Sequence, residues 1–139
     1  MDTELEKLVA AVRTVFDETA SRLGLEGPII IYHNLFFVLA YFGEDLGLKV
    51  VVERVQFFIF AAPFKSLGKS RVPEGLEDLQ TLLTRLGISH QEERHRLQAL
   101  GGNENNAAPM AKVLAALVER TWNQVLVNAD KIRRLIPEG

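Results

Sequence analysis

Residues 29–64 read IIIYHNLFFVLAYFGEDLGLKVVVERVQFFIFAAPF, and they contain seven of the eight phenylalanines in the 139-residue chain. The segment GEDLGLK, with its two glycines, is a turn signal that divides this block into apolar runs at 29–42 and 48–62. The first run is long for a strand and shows no alternation, which favours a buried helix. A strand is the rival interpretation, because Ile, Tyr and Phe are enriched in strands.

A narrow polar stripe in the second run also favours a helix. Lys49, Glu53 and Gln56 fall at i, i+4 and i+7 of an otherwise apolar segment. In a strand, Glu53 and Arg54 would point to opposite faces and place a charge on each. We therefore expect two buried helices that form an antiparallel hairpin at residues 29–62.

The rest of the chain has the pattern of amphipathic helices. Apolar residues recur at helical spacing in four further segments, at 3–23, 74–86, 90–100 and 109–135. A basic loop at 65–73 precedes the second of them. The predicted fold class is therefore all-α, a compact bundle of five or six helices around a central apolar helical hairpin (29–62). We expect a single helical domain that includes residues 1–139.

Composition limits the chemistry and the location. The chain has no cysteine and a formal net charge of −2 at pH 7. The lack of cysteine excludes disulfides, thiolate metal sites and cysteine nucleophiles, and it is consistent with a reducing cytoplasm. The opening MDTELEKLV is acidic and lacks the basic segment of a secretion signal. We expect a cytoplasmic protein, and the near-neutral charge does not by itself indicate a nucleic-acid partner.

Membrane insertion is disfavoured by the length and charge of the apolar runs. A single span needs about 20 apolar residues, and both runs are shorter. The second run also contains Glu53 and Arg54, whose burial in lipid would be costly.

The aromatic hairpin predicts an interaction surface. Two nearly all-apolar helices need a cover on their outer faces, which the first and last helices of the same chain, a second copy or a different protein would supply. Aromatic side chains can carry an interface because they give large contact area at low entropic cost. We expect a homodimer, a docked protein partner, or both. The residues predicted for this surface are Phe36, Phe37, Phe57, Phe58 and Phe60.

A hydrophobic pocket for a small apolar ligand is an alternative function. His33 lies between Tyr32 and Asn34 in the most apolar segment. A buried polar group needs a partner, and structural satisfaction within the core is the simpler interpretation. In a ligand carrier or sensor, His33 would be the polar handle, with Tyr32 and Tyr41 as further polar contacts.

A second alternative follows from LLTRLGISHQEERHRLQAL at 82–100, which resembles a helix-turn-helix DNA reader in its glycine-containing turn and in Ser89 as a cap. The resemblance implies a DNA-binding regulator with Arg94 and Arg96 as nucleic-acid contacts. Glu93 departs from the pattern, because the family buries an aliphatic residue at that position.

Catalytic and metal-binding signatures are weak. Glu92 and His95 could share a metal on one helix face, but the sequence has no second Glu-x-x-His for a di-iron site. We can name no catalytic residues and predict no metal and no cofactor. The favoured function is a non-catalytic helical interaction protein.

Overall fold

The computed structural model describes residues 3–65 and 77–131. Its elements, in chain order, are helix α1 (Thr3–Arg22), strands β1 (Glu26–Tyr32), β2 (Phe36–Phe42), β3 (Leu46–Glu53) and β4 (Phe58–Lys65), helices α2 (Leu79–Arg85) and α3 (Gln91–Leu100), a short 3-10 helix (Glu104–Asn106) and helix α4 (Ala107–Val127). The predicted basic loop after Lys65, the first residues of the helix predicted at 74–86 and the last residues of that predicted at 109–135 lie outside the described residues.

The predicted all-α bundle is wrong, because the four strands form one antiparallel sheet in the order β1-β2-β3-β4 and the fold is therefore α+β. The expected helical hairpin at 29–62 is most of this sheet. The flanking helices were predicted better. The helices expected at 3–23 and 90–100 are confirmed to within one residue at each end, and the helix expected at 74–86 is shorter within the described residues.

The helical prediction failed because both faces of the central strands are apolar. In β2, six of the seven residues are buried, so the alternation typical of a half-exposed strand is absent. Lys49 and Glu53, four residues apart, share a face in a strand as well as in a helix, so their spacing could not separate the two. The β-branched runs at 29–31 and 50–52 suit a pleated sheet, where such side chains pack well.

One face of the sheet, here called the inner face, packs against the helices. The register aligns Ile30, Leu39, Val50 and Ala61 in one row across the four strands, and all four contribute to the main core. Helices α1 and α4 contact each other, and each also contacts a strand at the edge of the sheet. The largest core side chains from the helices are Phe16, Leu79, Leu82, Leu83 and Trp122.

The opposite face, here called the outer face, is also apolar. Its central row consists of Ile31, Val38, Val51 and Phe60. Further along the strands, Phe42 and Phe64 meet edge to face with ring centroids 5.5 Å apart. Both rings are buried, and together with Ala40 they form a second, smaller core cluster.

A polar network connects α1 to α4 at the end of α1. Thr19 Oγ1 donates a hydrogen bond to Glu119 Oε2 at 3.0 Å, and Arg22 donates to Glu119 Oε1 at 3.0 Å. Because Thr19 is buried, this bond satisfies a hydroxyl that would otherwise be costly to desolvate. The network therefore fixes the pairing of the two helices that contribute most of the helical core.

Candidate functional site

The five phenylalanines predicted for an interaction surface occupy two different environments. Phe37 and Phe57 lie in the main core with 1% and 4% of their surface exposed, so their rings are not available at the surface of the folded chain. Phe36, Phe58 and Phe60 are half-buried. Phe58 packs against the main core at the start of β4, and a Cβ on Gly101 would lie 3.5 Å from its ring.

The three predicted ligand contacts are not brought together. Tyr32 and His33 are exposed at the end of β1, and the His33 ring stacks on Phe36 with centroids 4.2 Å apart. Tyr41 is fully buried on the inner face near the other end of the strands, and its hydroxyl donates to Asp17 Oδ1 at 2.7 Å. Burial, followed by this hydrogen bond and the charge of Asp17, raises the pKa of Tyr41 above its ordinary value. Tyr41 is thus a satisfied core residue that connects the sheet to α1.

An open groove of about 410 Å³ lies at the tips of the β1–β2 and β3–β4 hairpins. Leu35 and Val55 project from the two tips with 61% and 73% of their surface exposed, and the Arg54 backbone N–H donates to the Leu35 carbonyl at 3.0 Å. Arg54 Nε lies 3.7 Å from Glu104 Oε1, a distance too long for a hydrogen bond. The groove combines one cation with two apolar walls, but His33 is not among the residues that line it.

The two arginines predicted as nucleic-acid contacts at the α2–α3 corner differ, since Arg94 is exposed at the surface and Arg96 is paired with a carboxylate. Arg96 donates to Glu92 Oε1 at 2.8 Å on the same helix. Glu93, the residue that departs from the helix-turn-helix pattern, accepts from Arg120 of α4 at 2.7 Å, and Arg120 also donates to the Ser89 carbonyl. Burial is the largest single influence and acts to raise the pKa of Glu93, but the hydrogen bond from Arg120, a backbone hydrogen bond and the charge of Arg120 together outweigh burial and lower this pKa. Glu93 therefore anchors α3 to α4.

Within residues 3–65 and 77–131, no three side chains of the His, Asp and Glu types come together as a metal site. In the same two segments, no helix has the length and apolarity needed to cross a bilayer.

The free edge of β1 is the candidate site. The burial of β1 differs from that of every other strand, since none of its seven residues is buried, and Ile29 and Tyr32 are 39% and 44% exposed. Among the described strands it pairs only with β2. An edge strand presents unpaired backbone donors and acceptors that can pair with another chain.

The direction of the free backbone groups follows from one hydrogen bond. The N–H of His33 donates to the Phe36 carbonyl at 2.9 Å, so the backbone groups of His33 face β2. These groups alternate along a strand, and the register from Ile29 to Tyr32 is regular. Ile29 and Ile31 therefore also face β2, while the N–H and C=O of Ile30 and Tyr32 point away from the sheet.

The other edge of the sheet is protected. The Gly102 N–H donates to the Phe57 carbonyl immediately before β4 at 2.8 Å, so a backbone group at that end of the edge is already paired. Pro63 within β4 has no N–H to offer another strand. Between its bulge and Tyr32, β1 carries no proline and no charged residue. The protecting features of β1, its bulge and Pro28, thus stand before Ile29 and leave the segment from Ile29 to Tyr32 without them.

Comparisons with protein-family models, with curated proteins and with solved structures found no match to this chain. The fold and the site define the class: an α+β protein with a four-stranded antiparallel meander, helices on its inner face and an apolar free edge.

The sequence pattern predicts a buried helix at residues 29–32, and a helix has no strand edge to offer. The signal that could have revealed it was three consecutive isoleucines after Pro28, since β-branched residues favour strands and proline is tolerated near the start of an edge strand.

Proposed function

We propose that this protein is a non-catalytic, cytoplasmic interaction module that binds an extended protein strand along the free edge of β1. The observation that supports this function is the outward direction of the backbone groups of Ile30 and Tyr32 on an exposed apolar strand. In strand addition, such main-chain groups supply affinity, and the alternating side chains supply specificity.

The side chains of β1 suit this mode of binding. Ile29 and Ile31 lie on the outer face, and Ile30 and Tyr32 lie on the inner face, so a bound strand would meet apolar groups on both sides. Phe36 lies on the neighbouring strand β2 as a half-buried ring beside the end of β1, whereas Phe60 lies on β4 at the opposite edge of the sheet. Phe37 and Phe57 support the sheet from the core instead.

The experiment measures binding of a fluorescein-labelled peptide of residues 26–34, with two lysines appended for solubility, by fluorescence anisotropy. The key variant is Ile30→Pro, which removes the outward N–H, and the matched control is Ile30→Ala, which shortens the side chain and keeps the N–H. Proline at an edge position whose N–H faces solvent is compatible with the sheet. We expect the alanine variant to bind the peptide and the proline variant to lose binding.

Equal binding by the two variants, with both folded by circular dichroism, would contradict the proposed function, because the peptide would then not use the edge. Absence of saturable binding to the unmodified protein, at concentrations where sedimentation velocity shows a monomer, would contradict it as well.

A further inference from the structure

We infer that the strand bound by β1 is β1 of a second copy, in an antiparallel register centred on Ile31. This inference rests on the proposed function and adds to it the partner and the geometry. The result is a twofold-symmetric dimer with a continuous eight-stranded sheet.

Symmetry restricts the possible registers. A twofold axis perpendicular to the sheet places the outer faces of both copies on the same side of the combined sheet. Because successive side chains alternate between faces, each residue must then oppose a residue of the same parity. The residue numbers of opposed positions therefore add up to an even number. A register centred on Tyr32 would oppose Ile30 to Asn34, which lies in the bend after β1, so the candidate registers are centred on Ile29, Ile30 or Ile31.

The backbone groups select among these registers. Only the register centred on Ile31 places Ile30 opposite Tyr32 of the second copy, so that each of the two outward N–H groups and each of the two outward C=O groups finds a partner. The register centred on Ile30 pairs Ile30 with itself and places Tyr32 opposite Pro28, which has no N–H to donate. The register centred on Ile29 places Ile30 opposite Pro28 and is worse for the same reason.

The side chains agree with this register. Ile30 meets Tyr32 of the second copy twice on the inner face, and aliphatic–aromatic cross-strand pairs stabilise antiparallel sheets. Each pair would cover a Tyr32 ring that is 44% exposed in the single chain. On the outer face, Ile31 meets Ile31. No like charges oppose each other, because 28–32 contain no charged residue. A second copy is also the one partner whose edge has the same unpaired groups in the same order.

The size of the contact indicates a reversible dimer. One strand pair buries an area at the low end for protein interfaces, so assembly should depend on concentration. Ile30→Pro should shift the protein toward monomer in sedimentation velocity over a concentration series, whereas Ile30→Ala should shift it less.

Engineered cysteines test the register directly, because the chain has no cysteine of its own. In the proposed register the Ile31 positions oppose each other at a non-hydrogen-bonded site, with Cα atoms about 4.5 Å apart, within the range for a disulfide. The Ile29 positions are offset by four residues, or about 13 Å along the strands, which is too far. Under mild oxidation, we expect Ile31→Cys alone to form a covalent dimer, and Ile29→Cys alone to remain uncrosslinked.

Each other outcome would overturn the inference. Crosslinking of Ile29→Cys alone, or only of a mixture of Ile29→Cys with Ile31→Cys, would identify one of the other two registers. A protein that is monomeric at all concentrations and whose Ile31→Cys variant does not crosslink would exclude the second copy. If that monomer still bound the peptide with the expected dependence on the Ile30 N–H, the proposed function would stand, because the edge would accept an extended strand, and only the pairing with a folded second copy would be excluded. Circular dichroism of Ile31→Cys confirms that the variant is folded.

Discussion

Replacing Tyr41 by phenylalanine removes one hydroxyl from the core and should destabilise the protein at neutral pH. The Tyr41 side chain is fully buried, and its hydroxyl donates to Asp17 Oδ1 at 2.7 Å, while Arg13 lies 3.1 Å from Asp17 Oδ2. Hydrogen bonds to charged groups contribute about 1.5–3 kcal/mol. Asp17 is 40% exposed and can regain water after the change. We therefore expect a loss of about 1–2 kcal/mol in the free energy of unfolding.

The difference in the free energy of unfolding between the unmodified protein and Tyr41→Phe should decrease at alkaline pH. An unfolded tyrosine has a pKa of about 10, and burial together with the Asp17 hydrogen bond raises the pKa of Tyr41 in the folded state. The unfolded chain therefore loses this proton first as the pH rises. The stability that Tyr41 contributes is fully present below pH 10, and about 1.4 kcal/mol of it is lost by about pH 11. Tyr41→Phe has no such proton, so we expect the two stabilities to converge near pH 11.

Urea denaturation between pH 7 and pH 11 measures this convergence, with the fluorescence of the single tryptophan, the buried Trp122, as the reporter. Lysines titrate in the same range, but their contribution is common to both proteins and cancels in the difference. Tyr32→Phe, at an exposed tyrosine, is the matched control and should leave the free energy of unfolding unchanged at pH 7. A difference between the unmodified protein and Tyr41→Phe that stays constant from pH 7 to pH 11 would refute the reasoning.

Two further predictions concern packing and helix attachment. Gly47→Ala should lower the free energy of unfolding by about 1–3 kcal/mol in urea denaturation, because a Cβ there would approach Cε1 and Cε2 of Phe64 to 2.7 Å. Phe64→Leu, which replaces the ring by a smaller side chain, should recover part of this loss when it is combined with Gly47→Ala. An unchanged urea midpoint for Gly47→Ala would contradict this packing. Arg120→Ala should lower the free energy of unfolding by about 1 kcal/mol, and Arg96→Ala should lower it by less than about 0.5 kcal/mol. The reason is that Arg120 joins α4 to Glu93 and to the Ser89 carbonyl, while Arg96 forms an exposed pair within one helix. Equal shifts in the thermal midpoint of the two variants would contradict this difference.

The helices could be predicted from the sequence because each exposes one face. Leu8, Val12 and Phe16 in α1 recur at the helical spacing and are buried. Ala10 and Thr14, which lie between them, are exposed. The positions of the polar residues in this segment therefore predict a helix as clearly as the positions of the apolar residues do. The same holds for α3, whose only fully buried side chain is Leu97.

The sheet could not be predicted with the same rules, because its central strands lack a solvated face. In β3, all residues from Leu46 to Val52 are buried, including Lys49. A buried strand and a buried helix then have the same apolar pattern, and only length and turn signals separate them. The turn after Tyr32 contains neither glycine nor proline, so the run at 29–42 appeared continuous. The β1 edge could not be predicted either, because a strand edge can be identified only where strands are predicted.

Exposure alone does not distinguish the candidate site from the rest of the surface. Among the described residues, Leu35, Val55 and Val127 are more exposed than Ile29 or Tyr32. Single apolar side chains at hairpin tips and helix ends are common on protein surfaces and need no partner. The β1 edge differs because its exposed side chains lie beside backbone N–H and C=O groups that point outward. The sheet holds these groups in a fixed direction. A partner at this edge would satisfy both at once, which is why removing the single N–H of Ile30 is a sharper test than removing any one apolar side chain.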